Sequence, residues 1–289
     1  MLTSRYKPPA MKNILVPTDF SATSLNAAHY ALKLAEQLGS SKVILFNAYQ
    51  VLLMIDPTAM VPSMQMMDEG QLKAGSKIAL DKFKLVLQAF CPKNCELDTY
   101  CEYALLNNGL DEVCKTTGSG LIVMGITGGG LLEEKLIGSN TIHVALNSSV
   151  PVLIIPAKAN FTIVEEIALA CDFRSVVEST PVQPIKDLVK TTGAQLFVLN
   201  IEENAKTFDA EIPFQSKMID LLLHECHPQF SIIDNPDFME GINNFILEKQ
   251  IDILITIPKK HGIFQTLFKE SHTKKLAFHS HVPVMVVHD

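Results

Sequence analysis

The sequence predicts an α/β fold in two tandem domains, each with a mainly parallel sheet flanked by helices. Short, wholly apolar runs alternate with stretches whose apolar residues recur every three or four positions. The second half of the chain repeats the first at a nearly constant offset, and such a repeat is a stronger fold signal than any single element. The length of 289 residues also suits two domains better than one compact core.

In order, Lys12 to Pro17 reads as a buried strand ending at Thr18-Asp19. Ser21 is placed to cap a helix from Ala22 to Leu38, stepped by Leu25, Ala28, Leu32 and Ala35 and stopped by Gly39. Lys42 to Ala48 is the second strand. Tyr49 to Met66 is an irregular, methionine-bearing segment suited to a loop or an adaptable partner surface. A second helix follows through Leu80, Phe83, Val86, Leu87 and Phe90. Glu96 to Cys101 is a weakly alternating strand, and Leu105 to Thr117 a short helix closed by Gly118. Leu121 to Met124 is the fourth strand, Gly138 to Asn147 a helix, and Val150 to Ile155 the fifth strand. The first domain is expected over residues 11–158, after an N-terminal extension of residues 1–10.

The second domain, residues 159–289, follows a connection near Ala157 to Thr162. Glu166 to Ala170 matches the first strand, and Cys171-Asp172-Phe173 matches Thr18-Asp19-Phe20. Gln195 to Asn200, Phe230 to Ile233, Ile251 to Ile257 and Val282 to Val287 supply the remaining strands. Helices are expected from Pro184 to Thr192, stopped by Gly193, around Met218 to Leu222, and from Phe238 to Lys249. Asp19 to Asp172 is an offset of 153 (172 − 19), whereas Pro151 to Pro283 is 132 (283 − 151). The second copy is therefore shorter, most naturally after its second strand.

Composition narrows the function. The net charge of −7 argues against general nucleic-acid binding, which wants a basic face. No apolar run reaches the ~20 residues of a membrane span. The N-terminus lacks an apolar signal core, and six scattered cysteines suit reduced thiols, so a cytoplasmic setting is expected.

The stretch from Leu121 to Pro156 holds the chief motif: strand, then Gly125-x2-Gly128-x9-Gly138-Ser139, then helix and strand. Glycines let main-chain amides approach an anion, and a helix start favours negative charge. Neither a Walker A loop nor a dinucleotide fingerprint is present. Spacing alone leaves ordinary turn chemistry open as the alternative.

This spacing, with ILVPTD at the first strand and VPVLII at the fifth, resembles the universal stress protein family across nearly the whole chain, as two tandem domains. The resemblance implies five-stranded parallel sheets in the order 3-2-1-4-5. It further implies ATP binding, with or without Mg²⁺, at the point where strand order reverses. Pro17, Thr18 and Asp19 would face the adenosine and Ala48 the adenine. Met124, Gly125 and Gly128, with neighbouring Thr127, would hold the ribose and first phosphates. Gly138, Ser139 and Asn140 would hold the phosphate tail. Asp19 also has a purely structural reading, as a turn residue capping nearby amides. In the second copy Gly125 aligns with Ile257, Gly128 with Lys260 and Gly138 with Glu270, so no nucleotide is expected there.

His224-Glu225-Cys226-His227 has one metal-like i, i+3 pair, against the simpler reading of a solvated helix end. Lys135 is the lone cation of the glycine loop, Glu133 and Glu134 read as solvated, and Lys259-Lys260-His261 reads as a solvated basic loop. No catalytic constellation emerges. The expected function is thus an ATP-regulated stress-response protein with an unidentified protein partner. The alternatives are an interaction module that binds no nucleotide, or a slow ATP hydrolase or phosphotransferase. The exposed fifth strands pair across a dimer in the family, which here implies internal pairing of the domains as a pseudo-dimer and leaves room for a homodimer of whole chains.

Overall fold

The computed structural model describes residues 11–50, 68–103, 106–126, 139–171, 173, 176–202, 211–258 and 282–288. The first half contains β1 (Asn13–Pro17), α1 (Ala22–Leu38), β2 (Lys42–Tyr49), α2 (Glu69–Leu87), β3 (Glu96–Tyr103), α3 (Leu106–Thr117), β4 (Leu121–Ile126), α4 (Ser139–Asn147) and β5 (Val152–Pro156). The second contains β6 (Glu166–Ala170), α5 (Val176–Ser179), α6 (Val182–Thr192), β7 (Gln195–Glu202), α7 (Glu211–Leu223), β8 (Gln229–Asp234), α8 (Phe238–Lys249), β9 (Ile253–Thr256) and β10 (Val284–Val286).

The ten strands among the described residues join one sheet, in the order β3-β2-β1-β4-β5-β10-β9-β6-β7-β8. Each half therefore has the order 3-2-1-4-5, and the halves meet at β5 and β10. That pair is antiparallel, with Val284 opposite Ile154 and Val286 opposite Val152, while the other pairings are parallel. Leu153, Ile154 and Met285 are buried at this junction, so the apolar fifth strands cover one another's edges.

Parallel strands need cover on both faces, and the runs of β1, β4 and β5 supply apolar side chains to each. Ile14 and Val16 pack on the face covered by α1, α2 and α6, and Leu15 on the face covered by α3, α4 and α8. Both apolar layers run through both halves.

Local chemistry sets the ends of α1. The Ser21 side chain accepts from the Ser24 amide, and Gly39 adopts φ 61° while its amide caps Ala35 and Glu36. Gly193 closes α6 in the same way at φ 72°. About half of the expected shortening of the second copy, eleven residues (19 − 8), lies in the connection after its second strand. Nineteen residues (50–68) separate β2 from α2, against eight (203–210) between β7 and α7.

Two expectations are corrected. The helical period through Val86 and Phe90 does not continue inward: Val86, inside α2 but beside its buried stripe, is 55% exposed, and α2 ends at Leu87 in a tight turn that leaves Phe90 52% exposed. In addition, β4 runs on through Ile126, so Gly125 lies inside the strand rather than opening the loop.

Candidate functional site

The strand order reverses beside β1, which pairs with β2 on one side and β4 on the other. Ile14 is opposite Leu121 and Leu15 opposite Ile122. Continuing that register brings Thr18 level with Gly125. The carboxyl ends of the two strands therefore face one crevice, as a switch point requires.

The turn after β1 is held by polar contacts reaching three other elements. The Thr18 amide donates to the Phe46 carbonyl at 2.8 Å, and its carbonyl accepts from Asn47 Nδ2 at 2.8 Å. Asn47 Oδ1 in turn accepts from Ser76 Oγ of α2 at 2.7 Å. Thr18 Oγ1 lies 2.9 Å from Ser24 Oγ and accepts from the Phe20 amide. These contacts hold Phe20 at φ 64°, the left-handed region that β-carbon residues rarely adopt. Its ring meets Phe83 edge-on at 5.7 Å.

Asp19 is exposed, and Oδ1 accepts from the Ser21 amide at 3.0 Å, so it does cap the turn. Partial burial acts to raise its pKa, but hydrogen bonds from the Ser21 hydroxyl and amide and from Ser24 outweigh this and hold the carboxyl below its ordinary value. Pro17 is buried at the end of β1. Ala48, half-buried near the end of β2, stands beside Glu102 of β3.

Across the crevice, Met124 is 5% exposed and its side chain joins the apolar layer, so it can offer a ligand only its main chain. Gly125 is demanded by packing. A β-carbon there would lie 2.6 Å from the Thr23 carbonyl oxygen and 2.7 Å from Thr23 Cγ2. Only glycine lets the first turn of α1 press onto β4 this closely. The Gly125 carbonyl accepts from Thr141 Oγ1 at 2.9 Å, which ties the start of α4 to the end of β4. Ser139 and Asn140 are the first two residues of that helix, Asn140 being exposed. Their amides belong to the first turn, where the helix dipole favours an anion. Thr127, Gly128 and Gly138, with Glu133, Glu134 and Lys135, lie outside the described residues, as does the methionine-bearing segment 51–67.

Thr23, Ser24, Asn47, Ser76 and Thr141 are site-building residues that motif reading passed over. Asn47 carried a usable signal. Asn200 stands 153 positions on (200 − 47), the same offset that relates Asp19 to Asp172.

The second half reproduces the turn. The Cys171 amide donates to the Leu199 carbonyl at 2.9 Å, Asn200 Nδ2 donates to the Cys171 carbonyl at 2.8 Å, and Phe173 has φ 49°. Its surroundings differ. Buried Ile257 aligns with Gly125, and the counterpart of α1 is broken into α5 and α6 at Thr180-Pro181, where proline disfavours helical backbone before it. Asp172, Lys260 and Glu270 lie outside the described residues.

At the other motif, His224 to Cys226 form a tight turn closing α7, Cys226 is buried, and Glu225 pairs with Lys186 and Lys190. Among the described residues no group of three or more His, Cys, Asp or Glu could hold a metal ion. No helix among them is long and apolar enough to cross a membrane.

The comparisons with known proteins bear on the family and the fold. Residues 11–156 match the universal stress protein family. A universal stress protein of Methanocaldococcus jannaschii is 29% identical over 147 residues, covering 50% of this chain and 81% of that protein. Among solved structures, a universal stress protein from Archaeoglobus fulgidus superposes with a TM-score of 0.65 at 16% identity, over 96% of both chains. A protein of unknown function from Pseudomonas aeruginosa gives 0.51 at 13% identity, over 96% of this chain and 92% of that one. The last two likenesses concern the fold. With the family match spanning half its length and including both strands of the switch point, the chain belongs to the universal stress protein family.

Proposed function

We propose that the chain is a cytoplasmic stress-response protein that binds ATP, with or without Mg²⁺, as a regulatory ligand in its first half. The observation that carries this reading is the pairing of Gly125 with the start of α4. Thr141 aligns the first-turn amides of that helix with the end of β4, one strand from the turn at Thr18. Pro17, Thr18, Asp19 and Ala48 would contact the nucleoside, and Met124, Gly125, Thr127 and Gly128 the ribose and first phosphates. Gly138, Ser139 and Asn140 would take the phosphate tail.

In this reading residues 11–158 and 159–289 are two domains arranged as an internal pseudo-dimer across β5 and β10, and the second binds no nucleotide. The chemistry favours binding over turnover. Lys135 is the lone cation of the glycine loop and no arginine occurs among residues 11–158, so the charge developed in phosphoryl transfer has little to meet it from this half.

Isothermal calorimetry with ATP and Mg²⁺ tests the proposal, with one site per chain as the expected stoichiometry. Absence of both heat and a thermal shift would sink it in favour of an interaction module. ATP turnover well above the uncatalysed rate would replace it with a hydrolase.

A further inference from the structure

Helix α1 does two things at once. Its first turn builds the switch-point site, through Ser21 at Asp19, Thr23 against Gly125 and Ser24 at Thr18. The face that continues from Thr23 carries Asn26, Tyr30 and Gln37. These positions are four and eleven residues apart, so they fall on one line along the helix.

All three hold the segment that leads from β5 into the second half. Asn26 Nδ2 donates to the Pro156 carbonyl at 3.3 Å and to the Ala159 carbonyl at 3.0 Å. The Tyr30 ring, 3% exposed, meets Phe161 edge-on at 5.1 Å. Gln37 acts like a piece of neighbouring main chain: its Oε1 accepts from the Val164 amide and its Nε2 donates to the Val164 carbonyl, both at 2.9 Å. The same Nε2 lies 3.5 Å from the Thr192 carbonyl at the end of α6.

From the other side Asp252 completes the clamp. Its Oδ1 accepts from the Thr162 hydroxyl at 3.0 Å, and its Oδ2 from the Glu165 and Glu166 amides at 2.8 and 3.0 Å. The connection is thus bonded at both ends and along its length, unlike a flexible linker.

We propose that α1 couples the first-half site to the second half: a ligand that moves or stiffens its first turn changes the hold of Asn26 and Gln37 on residues 156–164. The ligand in question is the nucleotide of the preceding section, and the proposal rests on that reading for its physiological input. The coupling itself belongs to the helix and is testable without ligand. Asn26 lies two residues after Ser24 and three after Thr23, so a displaced first turn reaches the clamp within one helical turn. Coupling between sites is reciprocal, so loosening the clamp must also weaken binding.

Hydrogen exchange followed by mass spectrometry, on the full chain, provides the test. With Mg²⁺-ATP, slower exchange is expected both in residues 18–26 and in residues 157–166. In Gln37→Ala the first effect should persist and the second should shrink, with ATP affinity falling about fivefold or more. Slowing at 18–26 with no change at 157–166 in the unsubstituted protein overturns the coupling and leaves nucleotide binding intact.

No slowing at 18–26 counts against nucleotide binding, and a ligand-free arm then decides the coupling. Gly125→Ala drives a methyl against Thr23, and Ser24→Ala, the milder variant, removes the Thr18 bond. Faster exchange at 157–166 in either folded variant supports the coupling. Faster exchange confined to 18–26 overturns it.

Discussion

The turns after β1 and β6 are the same device in different surroundings. Each has an amide donated to the neighbouring strand, an asparagine side chain gripping the turn carbonyl, and a phenylalanine held at positive φ. Around the first turn stand Ser24, Ser76 and Gly125. Around the second, Ile257 joins the apolar layer, and Asn200 Oδ1, buried, finds no hydrogen-bond partner among the described residues. The shared part is what the fold needs to send the chain from strand to helix. The unshared part is what a polar ligand would need. The second half keeps the scaffold and fills the position of Gly125 with a buried isoleucine.

The largest expected effect tests that filling. Ile257→Ala should destabilise the chain by about 2–5 kcal/mol, as for other buried truncations, without creating nucleotide binding. Chemical denaturation and calorimetry would check both parts, and ATP binding by the variant at a second site would break the asymmetry. The reverse change, Gly125→Ala, should cost about 1–3 kcal/mol through overpacking against the Thr23 main chain, and should weaken any ATP affinity. Unchanged stability would mean the first turn of α1 yields more easily than its packing implies.

The two asparagines come next. Asn47→Ala removes a grip on Thr18 and strands the Ser76 hydroxyl, for about 1–3 kcal/mol, whereas Asn200→Ala loses one grip while deleting an unpartnered oxygen and should cost less. Equal losses in denaturation would show that the Ser76 bond contributes little.

The smallest effect lies where the turns after α2 and α7 meet the preceding helix. In the first half the contact is an edge-on ring pair, His29 and Phe90, at 4.4 Å; in the second, Glu225 is paired with Lys186 and Lys190. Hydrogen bonds from Lys186 and then Lys190 pull the Glu225 pKa from its ordinary 4.5 down to about 2. A depressed carboxyl stabilises the fold above its ordinary pKa and stops doing so as pH falls through the lower value. Glu225→Gln should therefore flatten part of the stability loss between about pH 4.5 and pH 2, and only slightly, because Glu225 and Lys190 are solvent-exposed. An unchanged acid profile would remove the pair from the account.

Much of this was readable from residue order. Ser21, Gly39 and Gly193 marked helix ends because capping is local chemistry, and β6 and α8 have the bounds the pattern predicted. What stayed hidden depends on partners distant in sequence. Gly125 announced a need for close approach, but nothing in the sequence says that the approaching group is Thr23. Val86 and Phe90 continue the apolar spacing of α2, yet Val86 falls beside the buried stripe of Leu80, Phe83 and Leu87, and the helix tightens after Leu87 and leaves Phe90 exposed. The clamp of Asn26 and Gln37 was invisible for another reason. Its partners on the connecting segment are mostly main-chain groups, which every residue carries, so no pairing of residue types could signal it.

The seam between β5 and β10 has a consequence for how the chain is made. Its paired strands lie 130 positions apart (Val284 against Ile154), whereas β4 and β5 are near neighbours. During synthesis the first half can complete its five strands while the open edge of β5, entirely apolar, still awaits its cover. Until β10 emerges, that edge is a template for any other unpaired strand nearby. A chain cut short before Val284 should therefore assemble through β5 with copies of itself.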